Sequence, residues 1–339
     1  MVKVELFNCL DAVARDAAGA LDRDRQPVLF DRLSWFRLLQ EHCPPPGKLL
    51  VARAEDEGGS RSWLFLAVQG RRASAYANWY TLAFNGISDL REDGGGRDRG
   101  SFERDQAIAR TLRQAGIEQI DLSTLSVDAY RLVFQSQGWW AFSEAAGANW
   151  VAVVAGLSFE DYWAGRPAKL RNTAERKARA AGLDLSIVSR FDPEAWAAYE
   201  EVYRHSWKPD EGSPAFLRAL AVQEGGAGTL RLGVARKDGR PVAAQFWLVE
   251  NGRATIHKLA YAEDAKALSP GTVLSTMMFR HVIDVDRVAL IDFGLGDEPY
   301  KADWMNRREP VGRMRAFAKG SLRGTAGAAR ALVRRLRND

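Results

Sequence analysis

Apolar and polar positions repeat with two different periods along this chain, and the changes of period mark its elements. Residues 1–25 are polar and alanine-rich and predict a loose helix. Residues 30–39 have helical apolar spacing, stopped by Pro44, Pro45 and Pro46. Residues 48–53 and 62–68 read as strands joined by a glycine-containing turn at 55–60. Residues 72–84 predict a further strand carrying Tyr76, Trp79, Tyr80 and Phe84, and 91–100 a charged, glycine-rich loop. A helix over 105–115 and a strand over 117–122 follow. Residues 149–156 form an apolar bridge into the second half.

The same kind of order then recurs. A helix opens at 159–163, and a strongly basic stretch fills 165–179. A strand is predicted at 183–188 and helices at 193–207 and 214–223. Strands at 229–236, 241–250 and 253–261 are linked by Asp238-Gly239 and Asn251-Gly252, both strong hairpin signals. A loop over 262–269 leads into a helix that starts at Pro270 and runs to Asp284. The pattern is α+β, a mixed α/β sheet in each half. It divides the chain into domains at 1–150 and 151–318, followed by a segment at 319–339.

The stretch 288–304 carries the most distinctive chemistry. Residues 288–293 are an apolar, β-forming run, broken by Gly294 and Gly296. Asp297 suits an N-cap and Pro299 a first helical turn, which predicts strand, glycine turn, helix. In a helix, Asp297, Tyr300, Lys301 and Trp304 share one face. That face is either a buried ion pair with aromatic packing or part of a polar site. A second loop, Leu268-Ser269-Pro270-Gly271-Thr272, stands between a strand and a helix. Backbone N–H groups at such a helix start attract anions.

Composition narrows the classes. The chain has 339 residues, 46% of them hydrophobic, enough for two cores. No apolar run approaches the ~20 residues of a membrane helix, and the start lacks a signal-peptide pattern. Cys9 and Cys43 have no metal-site spacing, and the four histidines are scattered, so no metal is expected. The net charge of +5 is concentrated at the end, where eight basic residues from Arg313 onward face a single acid, Asp339. The remainder is close to neutral, which argues against a general DNA-binding surface.

Three features together resemble the GNAT superfamily of N-acetyltransferases. They are Asp238-Gly239-Arg240-Pro241-Val242-Ala243-Ala244, the Ser269-Pro270-Gly271-Thr272 loop, and Phe293-Gly294-Leu295-Gly296-Asp297-Glu298-Pro299-Tyr300-Lys301 with Trp304. Within the superfamily they resemble the double-domain branch of Fem-type peptidoglycan aminoacyl transferases and cellulose-biosynthesis-associated acetyltransferases. The resemblance covers residues 159–315 and implies tandem GNAT-like domains, each a splayed mixed sheet flanked by helices. The first would be degenerate and the second catalytic.

What the resemblance implies is acyl transfer to a primary amine, with acyl-CoA or an acyl carrier protein as co-substrate and no permanently bound cofactor. The donor would bind at Tyr261, Ser269, Pro270, Gly271 and Thr272. That loop departs from the glycine-rich pattern of simple acetyltransferases, and Fem-type enzymes use aminoacyl-tRNA instead. Proton removal from the acceptor ammonium needs a base with a pKa near working pH. His257 and His205 are the candidates, Tyr300 the acid for the leaving thiolate, and Asp297 and Lys301 orienting groups. The tail 321–338 has the spacing of a basic amphipathic helix, either docked on its own domain or lying on an anionic membrane. The membrane reading favours a lipid base as acceptor, with an amino sugar or peptide as alternatives, and a cytoplasmic location at the inner membrane face. A non-catalytic envelope-assembly role is the reading from a different class.

Overall fold

The computed structural model describes residues 1–89, 99–124 and 127–338. Most of the loop expected at 91–100 lies outside the described residues, as do the side chains of Arg334, Arg335 and Arg337. The chain folds as two compact units, Met1–Gly147 with Pro310–Asp339, and Ala148–Glu309.

The first unit opens with β1 (Lys3–Phe7), α1 (Leu10–Ala17), α2 (Leu33–His42), β2 (Lys48–Glu55), β3 (Arg61–Gln69) and β4 (Arg72–Ala75). A short β5 (Ile87–Ser88), α3 (Arg99–Gln114), β6 (Gln119–Thr124), α4 (Val127–Ser136) and the beginning of β7 (Trp139–Val153) complete it. Residues 3–7 are a strand rather than the expected loose helix. Their alternating charges find partners across the ladder, where Glu5 stands opposite Arg53. Arg53 also reaches Asp16 at 2.6 Å. The strand expected over 72–84 stops at Ala75. Beyond it Tyr76, Tyr80 and Phe84 are buried from an irregular segment, pinned by Asn78 Nδ2 donating to the Cys43 carbonyl at 2.9 Å.

The second unit continues with α5 (Phe159–Ala164), α6 (Ala168–Ala180), β8 (Asp184–Val188), α7 (Pro193–Arg204) and α8 (Pro214–Gly226). Then come β9 (Leu230–Lys237), β10 (Arg240–Glu250), β11 (Arg253–Tyr261), α9 (Pro270–Arg280), β12 (Leu290–Leu295) and α10 (Lys301–Trp304). Its sheet runs β7-β12-β11-β10-β9-β8, and only the β11/β12 pair is parallel. Asp192 and Ser213 cap α7 and α8 by accepting from Ala195 N and Phe216 N. Asp238, Gly239, Asn251 and Gly252 all have positive φ, as the two tight hairpins require. Trp247, Phe279, Trp304 and Tyr162 centre the core, with Phe279 stacked on both Trp304 and Tyr162.

The helix expected from Asp297 onward is shorter. Residues 297–299 precede a single turn, and Tyr300 is its N-cap. Without helical backbone before Tyr300, the four polar and aromatic residues do not share a face. Lys301 and Trp304 are buried while Asp297 is exposed.

The chain ends with β13 (Arg307–Ala318) and α11 (Leu322–Asn338). β13 pairs with β6 from Gly312 to Phe317, which returns residues 310–339 to the first unit. That unit's sheet is thus β1-β2-β3-β4-β6-β13, with β4/β6 parallel. Arg313 and Arg315, which read as part of a basic tail, lie within β13 and pair with Asp121 and Glu144. Among the described residues, no helix is long and apolar enough to cross a membrane.

Candidate acyl-transfer site

The parallel ladder between β11 and β12 is short. It joins Arg253–Thr255 to Leu290–Asp292, and β11 then continues to Tyr261 without β12 beside it. Residues 259–261 therefore lie on β11 beyond the end of the parallel ladder, where β12 no longer supplies its hydrogen-bonding partners. His257 sits at a β-bulge. Phe246 pairs with Lys258 and Trp247 with Ile256, so His257 is the extra residue. The bulge reverses the alternation of side chains. Ile256 belongs to the Trp247–Phe279 core, and after the bulge Leu259 and Tyr261 take that side. Lys258 is thereby turned to the face of β11 covered by α7.

Beyond β11, the chain enters α9 through the loop singled out in the sequence. Ser269 has a left-handed backbone (φ 51°), Pro270 is the first helical residue, and the Ser269 side chain makes no capping hydrogen bond to the first turn. Its N–H groups are free to meet an anion. Gly271 lies against Tyr261, whose Cδ1 would be 3.3 Å from any added Cβ. Buried Gln245 fixes the turn, donating from Nε2 to the Gly271 carbonyl at 3.3 Å and to Ser275 Oγ at 2.7 Å. Lys177 of the basic helix α6 donates to the Ala267 carbonyl just before the loop. Arg166, before α6, instead braces the fold, donating to the Trp304 and Met305 carbonyls at 3.1 and 3.0 Å.

On the α7 side of β11 lies a cluster of ionisable groups. Lys258 Nζ and Glu211 Oε1 are 3.1 Å apart, both almost fully buried. Burial, followed by the neighbouring Glu211 carboxylate, pushes the Tyr203 phenol up to about 12. Lys208 is drawn down to about 8, mainly by burial and then by repulsion from Lys258, while Glu211 and Glu298 oppose the shift. A cavity of about 300 Å³ between α7 and α8 is lined by Trp196, Tyr199, Tyr203, Lys208, Glu211 and Leu217. Its lining combines aromatic rings with charged groups, a composition suited to a small organic ligand.

A parallel pair that parts beside a helix start fits the splayed mixed sheet that the sequence resemblance implies. Residues 168–302 match the family described as "Acetyltransferase (GNAT) domain". This stretch is a GNAT domain. The whole chain has the fold of the double-domain, Fem-like branch, as comparison with solved structures shows. The C-terminal domain of a putative lysylphosphatidylglycerol synthetase from Agrobacterium fabrum is 17% identical, with 96% of this chain and 95% of that one covered and a TM-score of 0.58. FemX is 8% identical over 83% of this chain and 94% of its own, TM-score 0.54. A tandem GNAT protein from the clavulanic acid biosynthesis pathway is 12% identical over 93% and 98%, TM-score 0.50. No curated protein sequence matches the chain. The domain thus supports acyl transfer to nitrogen as the reaction type.

Within the GNAT domain the residues singled out from sequence fall into distinct surroundings. His257 is buried, edge-on to Phe246, and burial followed by the Lys258 charge draws its pKa down to about 3. His205 is exposed at the C-cap of α7, with Nδ1 2.8 Å from the Glu201 carbonyl oxygen. Tyr300 packs edge-on against Phe293, and burial pushes its phenol up to about 12. Asp297 is held down to about 2 by hydrogen bonds, first from Arg308 and then from Trp150. Lys301 Nζ points inward, 2.7 Å from the Leu295 carbonyl oxygen and 3.0 Å from Glu298 Oε2. Gly296 has φ 117°, and a Cβ there would meet the Glu298 carboxylate and Lys301 Nζ at under 3 Å. The motif is thus a knot of backbone tied by a lysine.

Lys208, Glu211 and Lys258 were not singled out in the sequence. Their signal was present but undirected, as a charged Trp207–Glu211 stretch between two helices and a lysine in a strand. Only the bulge and the packing of α7 bring them together.

Proposed function

We propose that the second unit is an N-acyltransferase that moves an acyl group from a thioester of coenzyme A or a carrier protein to a primary amine. The observation that carries this reading is the parting of β11 from β12 next to the uncapped start of α9. A thioester carbonyl lying along residues 259–261 would meet backbone N–H donors, and the phosphates of its carrier would meet the Ser269–Thr272 turn.

The acceptor enters from the cavity between α7 and α8. Its ammonium gives a proton to neutral Lys208, and the amine attacks the thioester carbonyl. The C–N bond forms, the C–S bond breaks, the Tyr300 phenol protonates the thiolate, and the proton left on the new amide nitrogen passes to the Tyr300 phenolate. A lysine with a pKa of about 8 has a useful neutral fraction near neutral pH, whereas a histidine near 3 is too weak a base for an ammonium. The aromatic walls Trp196, Tyr199 and Tyr203 favour an acceptor with an apolar body. This supports an amphiphilic amine such as a long-chain base over an amino sugar. Incubation with acyl-CoAs of graded length and a panel of a long-chain base, glucosamine and a lysine peptide, read by mass spectrometry, tests this. An N-acyl long-chain base is the expected product, and amidation of none of the three refutes the reading.

The likeness in fold to FemX and to a putative lysylphosphatidylglycerol synthetase favours a second reading, with an aminoacyl group as the one transferred. Transfer from an aminoacyl-tRNA with no reaction of any acyl-CoA would establish it.

A further inference from the structure

The first unit holds a basic cleft that acyl transfer does not use. It encloses about 390 Å³, and its walls include Arg71, Arg72, Arg323, Arg330, Glu118 and Gln119. The arginines come from two separate places. Arg71 and Arg72 follow Gly70, whose φ of 60° turns β3 into β4. Arg323 and Arg330 are about two helical turns apart on α11 and so lie on one face.

The two stretches are fixed to each other. Ala328 and Ala331 of α11 pack with Phe317 and Phe142. A Cβ at Gly327 would lie 2.5 Å from Phe317 Cδ1, and one at Gly324 2.1 Å from the Ala318 carbonyl oxygen. Glycine at both positions lets α11 run hard against the end of β13. Ala318 N donates to the Glu118 carbonyl at 2.9 Å, and Glu118 N to the Arg71 carbonyl at 2.8 Å. The arginines on the hairpin and on the helix are thus held on one connected frame.

Charge in the cleft is not balanced. Glu118 is its one acid, and Glu118 Oε1 receives Arg71 Nη1 at 2.7 Å. Glu118 Oε2 is shielded from solvent and has no hydrogen-bond partner among the described residues. Arg72, Arg323 and Arg330 have no carboxylate within salt-bridge reach among the described residues. Guanidinium groups converging on a concave surface repel one another until an anion neutralises them, and their planar forks match phosphate oxygens.

We propose that this cleft binds a phosphate ester. Its phosphate oxygens accept from Arg72, Arg323 and Arg330. A glycerophosphate group has this chemistry, whether free or as the headgroup region of an anionic lipid. The proposal stands independently of the acyl-transfer reading.

The test uses the full chain, with calorimetric titration of glycerol 3-phosphate and flotation with phosphatidylglycerol or phosphatidylcholine vesicles. Ionic strength is matched with chloride. The variants are the double substitution Arg72→Gln/Arg330→Gln and, as a control outside the cleft, Lys319→Gln. Saturable binding of either probe that weakens at least about tenfold in the double variant and not in the control supports the site. Response to glycerol 3-phosphate assigns a free metabolite, and response to phosphatidylglycerol vesicles alone assigns a lipid headgroup. Binding of neither probe overturns the proposal. So does binding that survives the double variant, falls equally in Lys319→Gln, or is seen only with RNA. Should the double variant fail to fold, single Arg323→Gln, exposed near the start of α11, carries the same comparison.

Discussion

The ammonium of Lys258 and the carboxylate of Glu211 lie 3.1 Å apart in the interior of the second unit, and Lys208 stands in their combined field. Replacing Glu211 with Gln removes the nearest counter-charge of a buried lysine, a loss of about 3–5 kcal/mol. It also removes a carboxylate that holds the Lys208 pKa up. The Glu211→Gln variant should unfold at lower urea, and the ascending limb of its kcat/KM profile should move to lower pH.

Lys208 is the base in this account. The wild-type kcat/KM should rise with pH through about 8 as the amine loses its proton. Lys208→Met should lower kcat about 10²–10⁴-fold and abolish that limb, while the melting curve changes little. A pH profile of unchanged shape in the variant would assign the base elsewhere.

In this account His257 bears on stability rather than on proton transfer. Its folded pKa, about 3, lies below the unfolded value of about 6.5. Between those values the unfolded chain binds a proton that the folded chain refuses. Stability is therefore full above about pH 6.5 and falls as pH drops towards 3. Replacing His257 with Gln should flatten this part of the stability profile, measured by urea denaturation at several pH values. Turnover at pH 7.5 should persist in that variant.

Lys301 holds the Leu295 and Gly294 carbonyls in a turn that Gly296 makes sterically feasible. Lys301→Met should leave those carbonyls and Glu298 without their donor and cost about 2 kcal/mol. For a unit of this size, that corresponds to a melting temperature lower by about 4–8 °C.

Much of this architecture was legible in the sequence. The hairpins at Asp238-Gly239 and Asn251-Gly252, the turn into α9 and the β12 strand follow from local backbone rules. β13 was not legible, because its arginines read as a basic tail until Asp121 and Glu144 are seen opposite them. α10 was overextended, since Asp297 caps nothing and is held instead by Trp150 and Arg308. The Lys208–Glu211–Lys258 cluster depends on a bulge that flips one side chain, and on contacts between segments about fifty residues apart. Sequence periodicity records neither.

The central claim is that an amine attacks a thioester in the second unit, and amine-dependent thiol release tests it most directly. Free thiol is followed spectrophotometrically with acyl-CoA present, with and without a long-chain base, in wild-type protein and in Lys208→Met and Gly271→Val. Wild-type release should require the amine. Lys208→Met should lose kcat, and Gly271→Val, whose side chain would press on Tyr261, should raise KM for the acyl-CoA. Thiol release that ignores the amine, or that is the same in all three proteins, would contradict the account.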